Sequence, residues 1–234
     1  MQAAVFVGPS LDPEVARRTF PCEVLPPIKR ADIDSLLARA DPPRMLGIID
    51  GQFLDTLAIS PKEVIRAIDQ DVLVFGSSSM GALRAVECEA FGMVGVGTIF
   101  ELYRSGLVDA DDEVAIKFDL ETLKPLSEPL VNVRVAMQQA VRQGKVSAKT
   151  AQTLLAVGKR LYFPERTYPR MLAELKRQVS AAEHAALAEF LVGDAPDAKR
   201  EDALALLHQM AKASRTSTCG GGAAEGASVT GGFS

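Results

Sequence analysis

The sequence predicts an α/β fold: a parallel sheet flanked by helices, followed by a C-terminal helical subdomain. Three observations point there. Short apolar runs at Ala3–Val7, Met45–Asp50 and Val72–Phe75 each stop at a glycine or a polar break, as strands buried on both faces do. A stretch of helical spacing follows each run, and strand–helix alternation calls for parallel strands joined by right-handed crossovers. Beyond Lys124–Pro125 the strand signals cease, and Ala, Leu, Gln and Arg recur at helical intervals.

The first run ends at Gly8–Pro9, with Ser10 or Asp12 placed to cap a helix over Glu14–Arg18. A brief strand at Glu23–Leu25 and a helix carrying Ile33, Leu36 and Leu37 come before the break at Asp41–Pro42–Pro43. Met45–Asp50 leads into Asp50–Gly51, where a loop should open. Ser60, Pro61 and Glu63 then combine an N-cap, a proline at the first helical position and a capping-box glutamate, with Val64, Ile65 and Ile68 as the apolar face. That helix returns the chain to Val72–Phe75. After the serine triple, Leu83, Val86 and Ala90 mark the apolar face of the next helix. Thr98–Arg104 reads as another helix. Asn132–Gln143, Ser147–Leu161, Ser180–Phe190 and Asp197–Lys212 follow as the helices of the second part. The expected division is 1–125 for the α/β core and 126–213 for the helical subdomain. The remainder, 214–234, is rich in Ser, Thr, Gly and Ala, and offers too few apolar anchors to offset the entropy of ordering it.

The chain has 234 residues, enough to bury a substantial core, and 26 Lys plus Arg against 30 Asp plus Glu. A net charge of −4 gives no sign of a nucleic-acid surface. No apolar run approaches the ~20 residues of a membrane span, and the N-terminus lacks the pattern of a signal peptide, so a cytoplasmic protein without membrane contact is expected. Cys22, Cys88 and Cys219 are far apart and form no C-x-x-C pair, which argues against a structural disulfide or a zinc site. Asp109, Asp111, Asp112 and Glu113 form an acidic cluster of a density that could hold a hard cation, but such a cluster is more often a solvated loop or the acidic N-terminus of the next element. No metal is assigned.

The most informative stretch is Val72–Gly97, VLVFGSSSMGALRAVECEAFGMVGVG. Strand, tight turn and helix succeed one another, and such a turn aims the first amides of the helix at whatever lies beyond the strand end. Ser77, Ser79 and Gly81 fit the small-x-nucleophile-x-small spacing of a nucleophile elbow, with Ser79 as the exposed hydroxyl and Ser78 as the neighbouring candidate. Helix capping is the plain alternative for any of the three serines. Gly76 and Gly81 have P-loop spacing, yet Ala82 and Leu83 stand where the lysine and the hydroxyl residue belong. Gly92, Gly95 and Gly97 have the wrong order for a dinucleotide fingerprint. No cofactor follows from either.

Ligand sites in such sheets lie beyond the carboxyl ends of the strands. Gly8–Ser10, Asp50–Gly51 and Gly76–Ser79 all fall at that edge if their strands are neighbours. Asp50 is therefore the first polar partner for the serines, although an aspartate before glycine also suits a turn. Arg84, roughly 7.5 Å along the helix axis from Ser79, is within reach of the turn, and Glu87 is placed to orient it. A surface ion pair accounts for the same two residues. His184 and His208 are the only histidines and lie far along the chain, so activation without histidine, or no catalysis, stays open.

The motifs IIDGQF (Ile48–Phe53), GSSSMGALRAVE (Gly76–Glu87), FGMVGVGTIFELY (Phe91–Tyr103) and DDEVA (Asp111–Ala115), in this order, resemble the TfuA-like core. The resemblance covers Gly47–Phe118, and VFVGPSL (Val5–Leu11) is consistent with the usual start of that family. It implies an accessory protein of YcaO-dependent thioamide formation in peptide backbones, as in the biosynthesis of ribosomally made, modified peptides. The partners implied are a YcaO protein, a ubiquitin-like sulfur carrier and, through YcaO, the precursor peptide. The activity implied for some members is hydrolysis of the carrier's C-terminal thiocarboxylate, which releases sulfide. The alternative is a non-catalytic adaptor that aligns YcaO with the carrier. On the hydrolase reading, Ser79, Ser78, Asp50 and Arg84 would be catalytic, and Ser77, Gly81, Gly8, Ser10 and Glu87 would contact substrate. Cys88 reads as packing, and the family pattern supplies no histidine as base.

Overall fold

The computed structural model describes residues 2–52, 57–119 and 121–219. Phe53 of the IIDGQF motif and residues 220–234 of the expected tail lie outside them. Five strands, β1 (Ala3–Phe6), β2 (Glu23–Leu25), β3 (Met45–Ile48), β4 (Leu73–Ser77) and β5 (Val94–Val96), form a parallel sheet in the order β2-β1-β3-β4-β5. The helices of this part are α1 (Pro13–Thr19), α2 (Asp32–Leu37), α3 (Pro61–Asp69), α4 (Met80–Cys88) and α5 (Thr98–Arg104). Then come α6 (Leu130–Arg142), α7 (Ala148–Arg160), α8 (Tyr168–Leu175), α9 (Ala181–Gly193) and α10 (Ala198–Cys219).

Alternation along the strands decides what each face of the sheet meets. Ala4, Phe6, Leu46, Ile48 and Val74 point into a cluster with Val64, Leu83, Ile99 and Leu102 from α3, α4 and α5. Ala3, Val5, Met45 and Phe75 point the other way, onto Ala16 of α1 and Ala203, Leu206 and Met210 of α10. Helices α6 to α9 bury a separate cluster around Met137, Leu154, Met171, Leu187 and Phe190. The last helix leaves that cluster and completes the second face of the sheet.

Several local expectations need correction. The helix after the serine triple stops at Cys88 and passes into a short 3₁₀ turn, Glu89–Phe91, so Ala90 is exposed rather than on the apolar face. Strand β5 is absent from the sequence reading: three residues with a central glycine carry almost no period, and only pairing with Phe75–Ser77 makes them a strand. Helix α8, opened by the Thr167 cap and Pro169, was likewise not expected. Leu73, at the start of β4, is 44% exposed, so this strand is not buried throughout. Ser214–Thr216, expected to begin a disordered tail, continue α10.

Two of the capping alternatives are resolved. Asp12 caps α1, accepting the Glu14 amide at 2.7 Å, which frees Ser10 for another partner. Ser60 and Glu63 form the reciprocal capping box of α3. Among the described residues, no helix is long and apolar enough to cross a membrane.

Candidate active site at the serine turn

Strands β1, β3 and β4 are neighbours, so their carboxyl ends lie side by side. The chain runs from β1 outward to β2, then returns to the other side of β1 at β3. The sheet order therefore reverses between β1 and β3, where ligand crevices form in open α/β sheets. Asp50 sits just past β3 and is buried. One carboxylate oxygen, Oδ2, accepts the amides of Gly8 at 2.9 Å and Ser10 at 3.0 Å, and Oδ1 accepts the Ser10 hydroxyl at 2.6 Å. Three donors on one buried carboxylate fix the loop after β1 against the end of β3. The turn-forming role does not exhaust Asp50.

From this anchor a hydroxyl chain reaches the serine turn. Ser78 donates through Oγ to Ser10 Oγ at 3.0 Å, and Ser10 in turn donates to Asp50. Ser78 has φ 65°, a left-handed conformation that is costly for a residue with a side chain and that marks a sharp strand-to-helix turn. The strained residue is thus Ser78, one position before the one that the spacing selects. Ser79 occupies the N-cap position of α4, but its side chain makes no capping bond, and it is 4% exposed rather than open to solvent.

The amides of this helix start are partly satisfied within the protein. Those of Ser79 and Gly81 both donate to Ile49 O, at 3.3 and 3.2 Å, contrary to the expectation that the first amides point outward unpaired. Among the described residues, the amide of Met80 makes no hydrogen bond. That matters for the choice of nucleophile, because in an elbow the amide following the nucleophile stabilises the oxyanion. For Ser78 that amide is already engaged; for Ser79 it has no partner among the described residues.

Gly81 allows α4 to begin where it does: a Cβ there would lie 1.7 Å from Ile48 O. Ser77 is buried, and among the described residues its hydroxyl has no hydrogen-bond partner. Arg84 pairs with Glu87 along α4, and among the described residues neither makes a hydrogen bond to the serine turn. The ion pair is present, but only Glu87 is exposed: the Arg84 side chain is largely buried, and among the described residues its Nε has no hydrogen-bond partner. Cys88 is buried, with its thiol pushed up to about 11, mainly by burial, which fits packing rather than reactivity.

The TfuA-like protein family matches residues 50–167. The chain belongs to the TfuA-like family. No curated protein matches it. The family match spans Asp50, the serine turn and Asn132, while the Gly8–Ser10 loop and all of α10 fall outside it.

In this TfuA-like chain, the residue that sequence reasoning missed comes from α10. Lys199 is 3% exposed, and its Nζ lies 3.2 Å from Ser79 Oγ, 3.1 Å from Val114 O and 3.8 Å from Asp50 Oδ1. Burial lowers the pKa of this ammonium; the negative charges of Asp50 and Asp197 oppose the shift. Asn132 on α6 fixes the start of α10 by accepting the Lys199 amide at 3.0 Å and donating to Asp197 at 3.0 Å. A signal for Lys199 existed in the sequence. With Asp202 it lies on the helical stripe of Ala203, Leu206 and Met210, and a lysine in a first turn opposes the helix dipole.

A cavity of about 230 Å³ adjoins this network and is lined by Ser10, Glu128, Asn132, Tyr168, Asp197 and Lys199, among others. Burial, helped by Asp197, raises the carboxyl pKa of Glu128. Ser10 and Lys199 each touch both the cavity and one serine of the turn. Neither histidine takes part: His184 Nε2 meets Leu172 O at 3.0 Å, and His208 is exposed on α10.

The acidic cluster is occupied by arginines. Glu113 pairs with Arg134, and Asp112 meets the fully buried Arg166 at 3.1 Å. Arg166 also donates to the carbonyls of Gly158 and Asp112 at 3.0 and 3.2 Å, tying α7 to the acidic segment.

Proposed function

We propose that this TfuA-like protein works beside a YcaO protein in peptide-backbone thioamidation and supplies its sulfur by hydrolysing the C-terminal thiocarboxylate of a ubiquitin-like sulfur carrier. The observation that carries this reading is the turn between β4 and α4: a left-handed Ser78, the hydroxyl of Ser79 beside a buried amine, and an unengaged amide at Met80. A thiocarboxylate is an anion whose hydrolysis passes through a tetrahedral oxyanion. Both charges are favoured at a helix N-terminus with an available amide.

Ser79 is the nucleophile in this reading, and Met80 N–H the oxyanion donor. Asp50 holds the β1 loop, and through Ser10 it orders Ser78, which shapes the turn. The adjoining cavity would take the end of the carrier's polypeptide.

The test is single-turnover incubation of the purified protein, without YcaO, with a thiocarboxylated carrier. The expected result is sulfide together with carrier carboxylate, measured by sulfide trapping and intact mass. A protein that binds the carrier and YcaO but releases no sulfide would instead be the adaptor.

A further inference from the structure

We infer that Lys199 is the proton-transfer group of this site: its neutral amine takes the proton of Ser79 Oγ and delivers it to the departing sulfur. The inference rests on the hydrolase reading and completes it, since neither the family pattern nor the two histidines supplies a base. Geometry comes first. At 3.2 Å, Lys199 Nζ is within hydrogen-bond reach of the Ser79 hydroxyl, and Val114 O at 3.1 Å holds the amine in place. Serine–lysine pairs are a known alternative to serine–histidine pairs for activating a hydroxyl.

The environment of the amine suits this use. A lysine becomes a base near neutral pH when burial or a neighbouring cation makes its ammonium costly, and Lys199 is buried, with Ser79 of the turn, Val114, Asp50 beyond β3 and Asn132 of α6 around it. The charged groups around it are Asp50 from the end of β3, Asp197 at the start of α10 and Glu128 across the cavity. Asp50 is 3.8 Å away and already accepts three hydrogen bonds, so the burden it places on the amine is shared with Gly8 and Ser10.

The chemistry balances without a further reactant. Neutral Lys199 takes the Ser79 proton as Ser79 Oγ bonds to the thiocarboxylate carbon. The tetrahedral intermediate collapses, the C–S bond breaks with its electron pair going to sulfur, and Lys199 returns the proton so that hydrosulfide leaves. An ester on Ser79 remains. Water then adds to that ester, giving a proton to Lys199. The C–Oγ bond breaks, Ser79 is reprotonated, and a carboxylate and one proton are released.

The experiment measures single-turnover sulfide release between pH 6 and 10 for the wild-type protein, Lys199→Ala and Lys199→Met, with near-UV circular dichroism as the check of folding. Wild-type release should rise with pH to a plateau, with an apparent pKa below the ordinary 10.5 of lysine. Both variants should lose about a hundredfold or more in rate, together with that pH dependence. Added methylamine or ethylamine should restore release by folded Lys199→Ala in proportion to the free amine, whereas tetramethylammonium, which has no proton to exchange, should not. Release by either variant within twofold of wild type would overturn the inference and leave the hydrolase reading standing. Restoration by tetramethylammonium as well would also overturn it, in favour of a purely electrostatic role. Absence of release by the wild-type protein would overturn both readings together.

Discussion

The Asp202 carboxylate on α10 accepts the Ile99 amide at 2.7 Å, capping α5 from 103 residues away in the chain. Its other oxygen takes the Thr98 amide at 2.8 Å. Gly97, at φ 100°, leaves room for the approach, since a Cβ there would lie 2.2 Å from Asp202 Cγ. Three residues earlier on the same helix face stands Lys199. One helix therefore both closes the sheet and delivers the amine to Ser79.

Asp202 makes stability depend on pH. Burial raises its pKa to about 6, above the value for an unfolded aspartate, although the two amides pull it down. Between about pH 4 and 6 the folded chain then binds more protons than the unfolded chain, so this group's favourable contribution is full below pH 4 and is lost as pH rises through 6. The loss is on the order of 2–3 kcal/mol for a shift of about two units. Urea unfolding of wild type and Asp202→Asn at pH 4.5 and pH 7.5 should show it as a difference between the two proteins. Equal pH dependence in both would assign the effect to other carboxylates.

Gly81→Ala should be strongly destabilising. The added methyl would meet the Ile48 carbonyl, which is backbone and cannot swing aside, and the clash falls on the contact that starts α4 against β3. A cost of about 3 kcal/mol or more is expected, at the upper end for overpacking. The denaturant midpoint should fall with little change in slope. A midpoint within experimental error of wild type would mean that α4 can start elsewhere.

Ser79→Ala and Ser78→Ala should separate chemistry from architecture. Ser79 makes no capping bond, and its removal should lower the unfolding free energy by only about 1 kcal/mol, for the lost hydrogen bond from Lys199, while sulfide release falls by about a thousandfold or more. Ser78→Ala cuts the hydroxyl link to Ser10 and should cost about 1 kcal/mol of stability with a smaller loss of rate. The reverse ranking of rates would transfer the nucleophile to Ser78.

Sulfide release should survive a chelator in an assay without YcaO, whose own ATP chemistry needs Mg²⁺. Glu113 and Asp112 are already engaged by Arg134 and Arg166, which leaves the acidic cluster poorly suited to a cation. A loss that one divalent ion restores would show that this segment, or another, holds a metal.

Much of the fold was legible because its signals are local. Apolar runs ending in glycine or aspartate marked β1, β3 and β4, and Ser60–Pro61–Glu63 announced α3 within four residues. Strand β5 was not legible, because Val94–Gly95–Val96 owes its state to the Phe75–Ser77 edge rather than to its own pattern. The serine turn and Asp50 could be nominated from strand-end reasoning alone, since strand order brings the carboxyl ends of β1, β3 and β4 to one edge.

What the sequence by itself determined is the class of fold, the family and the turn between β4 and α4, all written in short-range spacing. Tertiary structure alone decided the rest of the site: which serine is strained, that Ser10 bonds Asp50 instead of capping α1, and that Lys199 reaches Ser79 across 120 residues. The physical reason is that periodicity reports which side of an element is buried, not what it is buried against. Only the packing of α10 on the sheet turns a lysine on an apolar stripe into a buried amine beside a hydroxyl.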